Sequence, residues 1–279
     1  MDFAHARRFG PKANYPKVLA YKAAGGSLAT NGFTVIAGPC SIESFEQVEA
    51  CAVAVADIDR ATDCQVLMRG GVFKAGTYPP EGFGLDMARL KMWSGVCRAQ
   101  GLGNVVEVLD VRDIERVDDY ATAFQVGARQ GQGYALLNEL SKTHKQVFLK
   151  NGAGMKLDEI LGAAEYLARG RCEPRIIIRG SASFHDHVRW DMSVSLIPAI
   201  KKLTGIPVIG DPSHGTGRRD LVADMGMACI GAGADGILVE MHPNPDKSVS
   251  DSEQALSLEE GQALCLRAAG ERGMVRIAK

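Results

Sequence analysis

Four groups able to share one divalent ion stand at separate points along this 279-residue chain, three of them just beyond a short apolar run. Cys40 follows Phe33–Ala37 in Gly38-Pro39-Cys40-Ser41-Ile42-Glu43, and His214 follows Pro207–Ile209 in Asp211-Pro212-Ser213-His214. Glu240 follows Gly236–Val239 directly, and Asp251 comes later in the same turn region. A thiol, an imidazole and two carboxylates form a mixed soft and hard set that suits a divalent transition ion, with Mn, Fe, Co and Zn all acceptable. Taken singly, each has a plainer reading: Cys40 as a core thiol, His214 and Glu240 as caps of following helices. Four ligand types at separate strand ends favour the metal jointly. His242 adjoins the set and is open between ligand and support of the ligands.

A second set is cationic. Arg69 and Lys74 follow one apolar run and Arg129 another, while Lys150 terminates Val147-Phe148-Leu149 and Arg179 terminates Ile176-Ile177-Ile178. Basic side chains are ordinarily solvated surface charges, but a cation at the end of a buried strand is reasonable where it meets an anion. Arginine offers paired hydrogen bonds to phosphate or carboxylate, and lysine a point charge. Together the two sets describe a site for a phosphorylated carboxylate beside a metal.

Holding these groups together requires a framework that ends many strands at one place. Strands are predicted at about Phe33–Ala37, Cys64–Met68, Val105–Val108, Phe124–Val126, Val147–Leu149, Arg175–Ile178, Pro207–Ile209 and Gly236–Val239. Between them, apolar residues at spacings of three and four predict helices over Glu43–Ala56, Leu85–Ala99, Ile114–Tyr120, Tyr134–Ser141, Leu157–Arg169, Met192–Leu203 and Asp220–Ala232. A last helix lies within Asp251–Lys279, with Leu256, Leu258, Leu264 and Leu266 available to its buried face. Eight βα units in one uninterrupted chain predict a (β/α)8 TIM barrel over residues 33–279, whose reaction site sits at the carboxyl ends of the strands. Residues 1–32 read as an amino-terminal extension that covers the bottom of the barrel or joins a subunit contact.

Composition restricts the function further. With 32 basic and 33 acidic residues the net charge is -1, so no global field favours nucleic acid or an anionic membrane, and any anion must be bound locally. No segment offers the roughly 18 apolar residues that a membrane span needs, and the first residues carry no apolar signal core. Seven cysteines without a CxxC pair, most of them inside apolar periodic stretches, read mostly as core thiols in a reducing, cytoplasmic setting.

The segments Ala37-Gly38-Pro39-Cys40-Ser41-Ile42-Glu43-Ser44, Met68-Arg69-Gly70-Gly71-Val72-Phe73-Lys74, Gly127-Ala128-Arg129, Leu149-Lys150-Asn151-Gly152 and Asp211-Pro212-Ser213-His214-Gly215-Thr216-Gly217-Arg218-Arg219-Asp220, with Gly233-Ala234-Asp235-Gly236 through Asp251, carry a resemblance. In that order they resemble the type I 3-deoxy-D-arabino-heptulosonate 7-phosphate (DAHP) synthases. The related 3-deoxy-D-manno-octulosonate 8-phosphate synthases share the barrel but match the late segments less well. The resemblance implies a metal-assisted, aldol-like condensation of phosphoenolpyruvate with a phosphorylated aldose, normally erythrose 4-phosphate, with release of phosphate. It further implies that Cys40, His214, Glu240 and Asp251 bind the metal, that Arg69 and Lys74 meet the phosphoenolpyruvate carboxylate, and that Arg129, Lys150 and Arg179 surround its phosphate. Lys74, Glu107 and His214 form the implied catalytic set, Lys74 for proton transfer at the aldehyde and Glu107 to position water; Thr77 and Asp211 complete the substrate-binding residues. Self-association into a homo-oligomer is implied as well.

One departure bears on the acceptor. Where the family has Lys-Pro-Arg-Thr, whose Arg and Thr bind the acceptor phosphate, this chain reads Lys74-Ala75-Gly76-Thr77, and the loop that follows is shorter. Losing a charged contact to phosphate costs about 1.5–3 kcal/mol. Either another cation replaces it, with Arg189, Arg218 and Lys156 as candidates, or the acceptor is a different aldehyde, phosphorylated or unphosphorylated, in a specialised pathway. A third reading is a catalytically silent barrel that binds a phosphorylated metabolite. His185 and His187 match no motif and read as exposed loop residues.

Overall fold

The computed structural model describes residues 16–18, 32–74 and 84–276. Along the chain, β1 (Thr34–Gly38) leads to α1 (Phe45–Ala61), β2 (Gln65–Gly70), a small hairpin of β3 (Phe73–Lys74) and β4 (Gly84–Leu85), and α2 (Met87–Ala99). Next come β5 (Gly103–Glu107), α3 (Ile114–Asp118), β6 (Ala123–Val126), α4 (Tyr134–Leu140), β7 (Gln146–Lys150), α5 (Leu157–Ala168), β8 (Glu173–Ile178) and α6 (Leu196–Thr204). The chain closes with β9 (Val208–Gly210), the one-turn α7 (Ser213–Thr216), α8 (Arg219–Gly231), β10 (Gly236–Glu240) and α9 (Leu258–Gly270). Strands β1, β2 and β5 to β10 pair in parallel, and β1 joins both β2 and β10, which closes an eight-stranded barrel ringed by helices. This is the expected (β/α)8 architecture.

Its interior follows from the two-residue period of a strand. Ile36, Leu67, Val105, Ala123, Phe148, Ile177, Ile209 and Leu238, one from each barrel strand, form a separate buried apolar layer inside the barrel. The alternate positions, such as Val35, Val66, Val106 and Val147, face outward and join the larger core beneath the helices. Two residues beyond each member of the inner layer stand Gly38, Arg69, Glu107, Gln125, Lys150, Arg179, Asp211 and Glu240. The same pleat that seals the barrel with apolar groups therefore raises a polar and charged layer directly above, at the carboxyl ends of the strands.

Element boundaries shift where side chains compete for the ends. Helix α1 begins at Phe45 because the Ser44 hydroxyl caps it, accepting the Gln47 N–H, which leaves Glu43 in the loop before the helix. Helix α6 begins at Leu196, since Asp191 pairs with Ser181 across the preceding loop and residues 192–195 stay irregular. Helix α9 starts on a reciprocal Ser257–Glu260 capping box, so its buried face is Gly261, Leu264, Cys265 and Ala268, while Leu256 is buried before the helix and Leu266 is only partly covered. Of the proposed extension, residues 16–18 lie against α5, where the Val18 N–H donates to the buried Glu165 carboxylate at 2.8 Å. All seven cysteines are free, six of them buried and Cys40 partly exposed. No described helix is long and apolar enough to cross a membrane.

Candidate active site

A cavity of about 740 Å³ opens above the polar layer, and Cys40, Arg69, Glu107, Arg129, Lys150, Arg179, His214 and Asp251 all line it. Asp211 and Glu240 are fully buried just beneath. Residues 75–83, which include Gly76 and Thr77, lie outside the described residues, and the Lys74 backbone is placed by its pairing with Gly84 in the β3–β4 hairpin.

The four candidate ligands converge. One donor atom from each of Cys40, His214, Glu240 and Asp251 lies within 4.8 Å of the others. Each arrives by a different route. Cys40 sits in the turn after β1, clamped by the Gly71 N–H, which donates to its carbonyl at 2.8 Å. A Cβ at Gly71 would stand 2.6 Å from that oxygen, so the close approach requires glycine. His214 is on α7, where Asp211 accepts from its backbone N–H at 3.0 Å and contacts ring Nδ1 at 3.0–3.1 Å, leaving Nε2 toward the ligand cluster. Glu240 ends β10 with both oxygens engaged: Arg69 donates to Oε1 at 2.9 Å and Gln254 to Oε2 at 2.5 Å. Asp251 has a φ of 52°, alone among the described non-glycine residues in the left-handed region, and this turn carries its carboxylate to the Cys40 thiol at 3.1 Å. The set suits a divalent transition ion by donor type and by spacing.

The charges follow from that packing. Burial, with the Glu240 carboxylate alongside, pushes the Cys40 thiol well above its ordinary value. Burial would also raise Asp211, but His214 and Lys150 hold its carboxyl well below the usual range. Asp251 is likewise lowered against burial, by His214, the Cys40 hydrogen bond, Arg69 and Arg189. Arg69 is held protonated by Glu240 despite its burial.

The expected cations come together as well. Lys150 pairs with Asp211 at 2.9 Å. Arg179 is fixed at its backbone by Asn151 (2.7 Å) and at its guanidinium by the His214 carbonyl (3.1 Å), and it stacks over Trp190 with 4.9 Å to the ring centroid. Arg129 reaches the cavity from the single 3-10 turn after β6. Glu107 accepts from Gln125 at 3.2 Å. His242 is not one of the converging donors: its Nδ1 accepts from the Asn244 N–H at 3.0 Å and its Nε2 lies 3.5 Å from Glu43. Glu43 in turn accepts from the Val249 N–H at 3.0 Å, tying the strand-one turn to the loop that bears Asp251. His185 and His187 are exposed, with His185 3.6 Å from Asp191.

Gln254, Trp190 and Glu43 are participants that spacing alone did not reveal. Gln125 was accessible to the two-residue rule, since it stands two positions beyond the inward-facing Ala123. Gln254 and Trp190 come from irregular loops, where no periodicity reports direction.

Comparison with known proteins bears on the family and the fold. The phospho-2-dehydro-3-deoxyheptonate aldolase of Thermotoga maritima is 36% identical over 228 residues, covering 81% of this chain and 66% of the relative, so the chain spans just under two thirds of that protein. The 2-dehydro-3-deoxyphosphooctonate aldolase of Nitrobacter winogradskyi is 25% identical over 249 residues, covering 84% of this chain and 86% of the relative. Among solved structures, the Thermotoga maritima DAHP synthase superposes with a TM-score of 0.79 at 33% identity, covering 88% of this chain and 69% of that one. A truncated form of the same enzyme gives 0.78 at 33% identity, covering 89% and 93%. The DAHP synthetase I family model matches residues 25–270, and the chain belongs to that family.

Proposed function

We propose that this protein condenses phosphoenolpyruvate with an aldose phosphate, erythrose 4-phosphate, in a metal-dependent reaction that gives a 3-deoxy-2-ulosonate and inorganic phosphate. The observation that carries the reading is convergence: a Cys/His/Glu/Asp donor set and the cations Arg69, Arg129, Lys150 and Arg179 meet in and beneath one cavity. The names of the Thermotoga relatives support it.

In this reading Cys40, His214, Glu240 and Asp251 hold Mn, Fe, Co or Zn, which when bound supplies Lewis-acid polarisation of the aldehyde oxygen. Arg69 and Lys74 take the phosphoenolpyruvate carboxylate, and Arg129, Lys150 and Arg179 its phosphate. Asp211 keeps Lys150 and His214 aimed, and Thr77 serves the acceptor end. A bond forms between C3 of phosphoenolpyruvate and the aldehyde carbon, and the aldehyde oxygen takes a proton, with Lys74 as the donor. Water held by Glu107 adds at C2; the C2–O bond to phosphate then breaks, phosphate leaves with the electron pair, and a ketone remains. Donors fixed in a largely buried site stabilise the developing charges without reorganising.

Phosphate release by purified, metal-supplemented protein, measured with phosphoenolpyruvate and a panel of aldehydes, tests this. Release must need both metal and aldehyde; release without aldehyde, or none with any, sinks the proposal. Gly76 favours a second reading, an unphosphorylated acceptor, which turnover of erythrose 4-phosphate at an ordinary kcat/KM of about 10⁴ M⁻¹s⁻¹ or more eliminates. Self-association belongs to the same proposal and is read by sedimentation velocity.

A further inference from the structure

The rim of the cavity carries positive charge beyond what one phosphate needs. Arg69 is paired with Glu240 and Lys150 with Asp211. Among the described residues, no carboxylate lies within ion-pair distance of Arg129 or Arg179, and Arg189 reaches Asp251 only at 3.5 Å with its side chain 55% exposed. Arg129, Arg179 and Arg189 all line the same cavity. Such a cluster suits two anions, an inner one between Arg129 and Arg179 and an outer one at Arg189.

Arg189 is held for that task. Its backbone N–H donates to the Thr216 carbonyl at 3.0 Å, and Ser181 and Asp191 close the base of its loop through paired bonds of 2.9 and 3.0 Å. Trp190 offers a ring to both guanidiniums, with Arg179 at 4.9 Å and Arg189 at 5.7 Å from its centroid. A stacked guanidinium keeps its N–H groups pointing outward in its own plane, and those of Arg189 beyond the one that reaches Asp251 are donors suited to phosphate. The other two candidate cations are placed elsewhere. Arg218 is bound to Asp220 at 2.5 Å and to the His187 carbonyl at 3.0 Å, in a separate concavity. Lys156 stands exposed at the start of α5 and does not line the cavity.

We infer that Arg189, stacked on Trp190, binds a phosphate at the far end of the acceptor and so selects a phosphorylated over an unphosphorylated aldehyde. The inference rests on the condensation proposed above, and it answers the substitution at Gly76 from a different loop of the barrel mouth.

Steady-state kinetics of metal-loaded wild type, Arg189→Ala and Arg189→Lys, with erythrose 4-phosphate and with erythrose as acceptors, test it. Arg189→Ala raises the KM for erythrose 4-phosphate roughly 10- to 100-fold, shrinks the preference for the phosphorylated acceptor by the same factor, and leaves the KM for phosphoenolpyruvate in place; Arg189→Lys falls between. Equal losses on both acceptors, or an unchanged KM for erythrose 4-phosphate, overturn it. Calorimetric titration of inorganic phosphate into protein saturated with phosphoenolpyruvate reads the subsite without turnover. Binding in wild type that is lost in Arg189→Ala supports the subsite, and equal binding in both removes it. If wild type condenses no aldehyde, the reaction proposal fails while this titration still decides on Arg189.

Discussion

The Lys150 ammonium lies 2.9 Å from Asp211 Oδ2, with the two side chains 5% and 0% exposed, and the same carboxylate orients His214. Removing one partner of a buried pair strands the other charge, which costs about 3–5 kcal/mol, whereas removing both together costs far less. Asp211→Asn therefore loses about that amount in urea denaturation without metal, and adding Lys150→Met recovers part of it. The sign with pH follows: the folded Asp211 value lies below the unfolded one of about 3.9, so its stabilisation is whole above that pH and is lost as the pH falls. Wild type loses stability with acid more steeply than Asp211→Asn. Additive losses in the double variant would show that the two side chains do not act as a pair.

Cys40 is predicted to make metal affinity depend on pH. Its thiol is raised by burial and by Glu240, so it keeps its proton at neutral pH until an ion replaces it. The thiol then contributes about a tenfold gain in affinity per pH unit. Competition with a chromophoric chelator at several pH values measures this. Cys40→Ser should bind metal more weakly at every pH and show a slope flatter by that share. An unchanged slope would take Cys40 out of the ligand set.

Gln254 is predicted to support the metal without touching it. It is 2% exposed and donates to Glu240 Oε2 at 2.5 Å, while Arg69 occupies Oε1. Gln254→Leu frees that carboxylate to rotate and lowers metal affinity roughly 10- to 100-fold. The pH slope stays as in wild type, since the thiol is untouched, and that separates this variant from Cys40→Ser in the same titration.

What could be read in the sequence divides along these residues. Arg69, Lys150, Arg179, Asp211 and Glu240 were legible because a strand alternates strictly: once Leu67, Phe148, Ile177, Ile209 and Leu238 face inward, the residue two positions on must as well. Cys40 and His214 were legible through motif and residue type, although their convergence depends on turns at Gly71 and Asp211 that no period describes. The loop bearing Trp190 was not legible. Its direction is set by the Ser181–Asp191 bonds and by Thr216, which join positions that no local period relates. Leu266 shows the same limit in a helix: from the cap at Ser257 the expected Leu264 is turned inward, but Cys265 rather than Leu266 is buried beside it.

Gly127 and Glu107 give the sharpest test of the water-positioning role. Gly127 stands at the start of the turn after β6, and a Cβ there would lie 2.0 Å from Glu107 Oε1. Its φ of -67° is open to any residue, so space alone demands glycine. Gly127→Ala must displace the Glu107 carboxylate and break its 3.2 Å contact with Gln125. The displaced group is the end of a flexible side chain, so the cost in stability stays within about 1 kcal/mol, the range of mild substitutions. Turnover responds differently. With Glu107 pushed from its place, kcat falls about as far as in Glu107→Gln, while chelator competition still finds full metal affinity because none of the four donors moves. The double variant Gly127→Ala with Glu107→Gln settles the cause, since two changes acting through one carboxylate are not additive. Its kcat should match that of Glu107→Gln alone. If the two losses multiply instead, Gly127 acts on the site by some route other than Glu107.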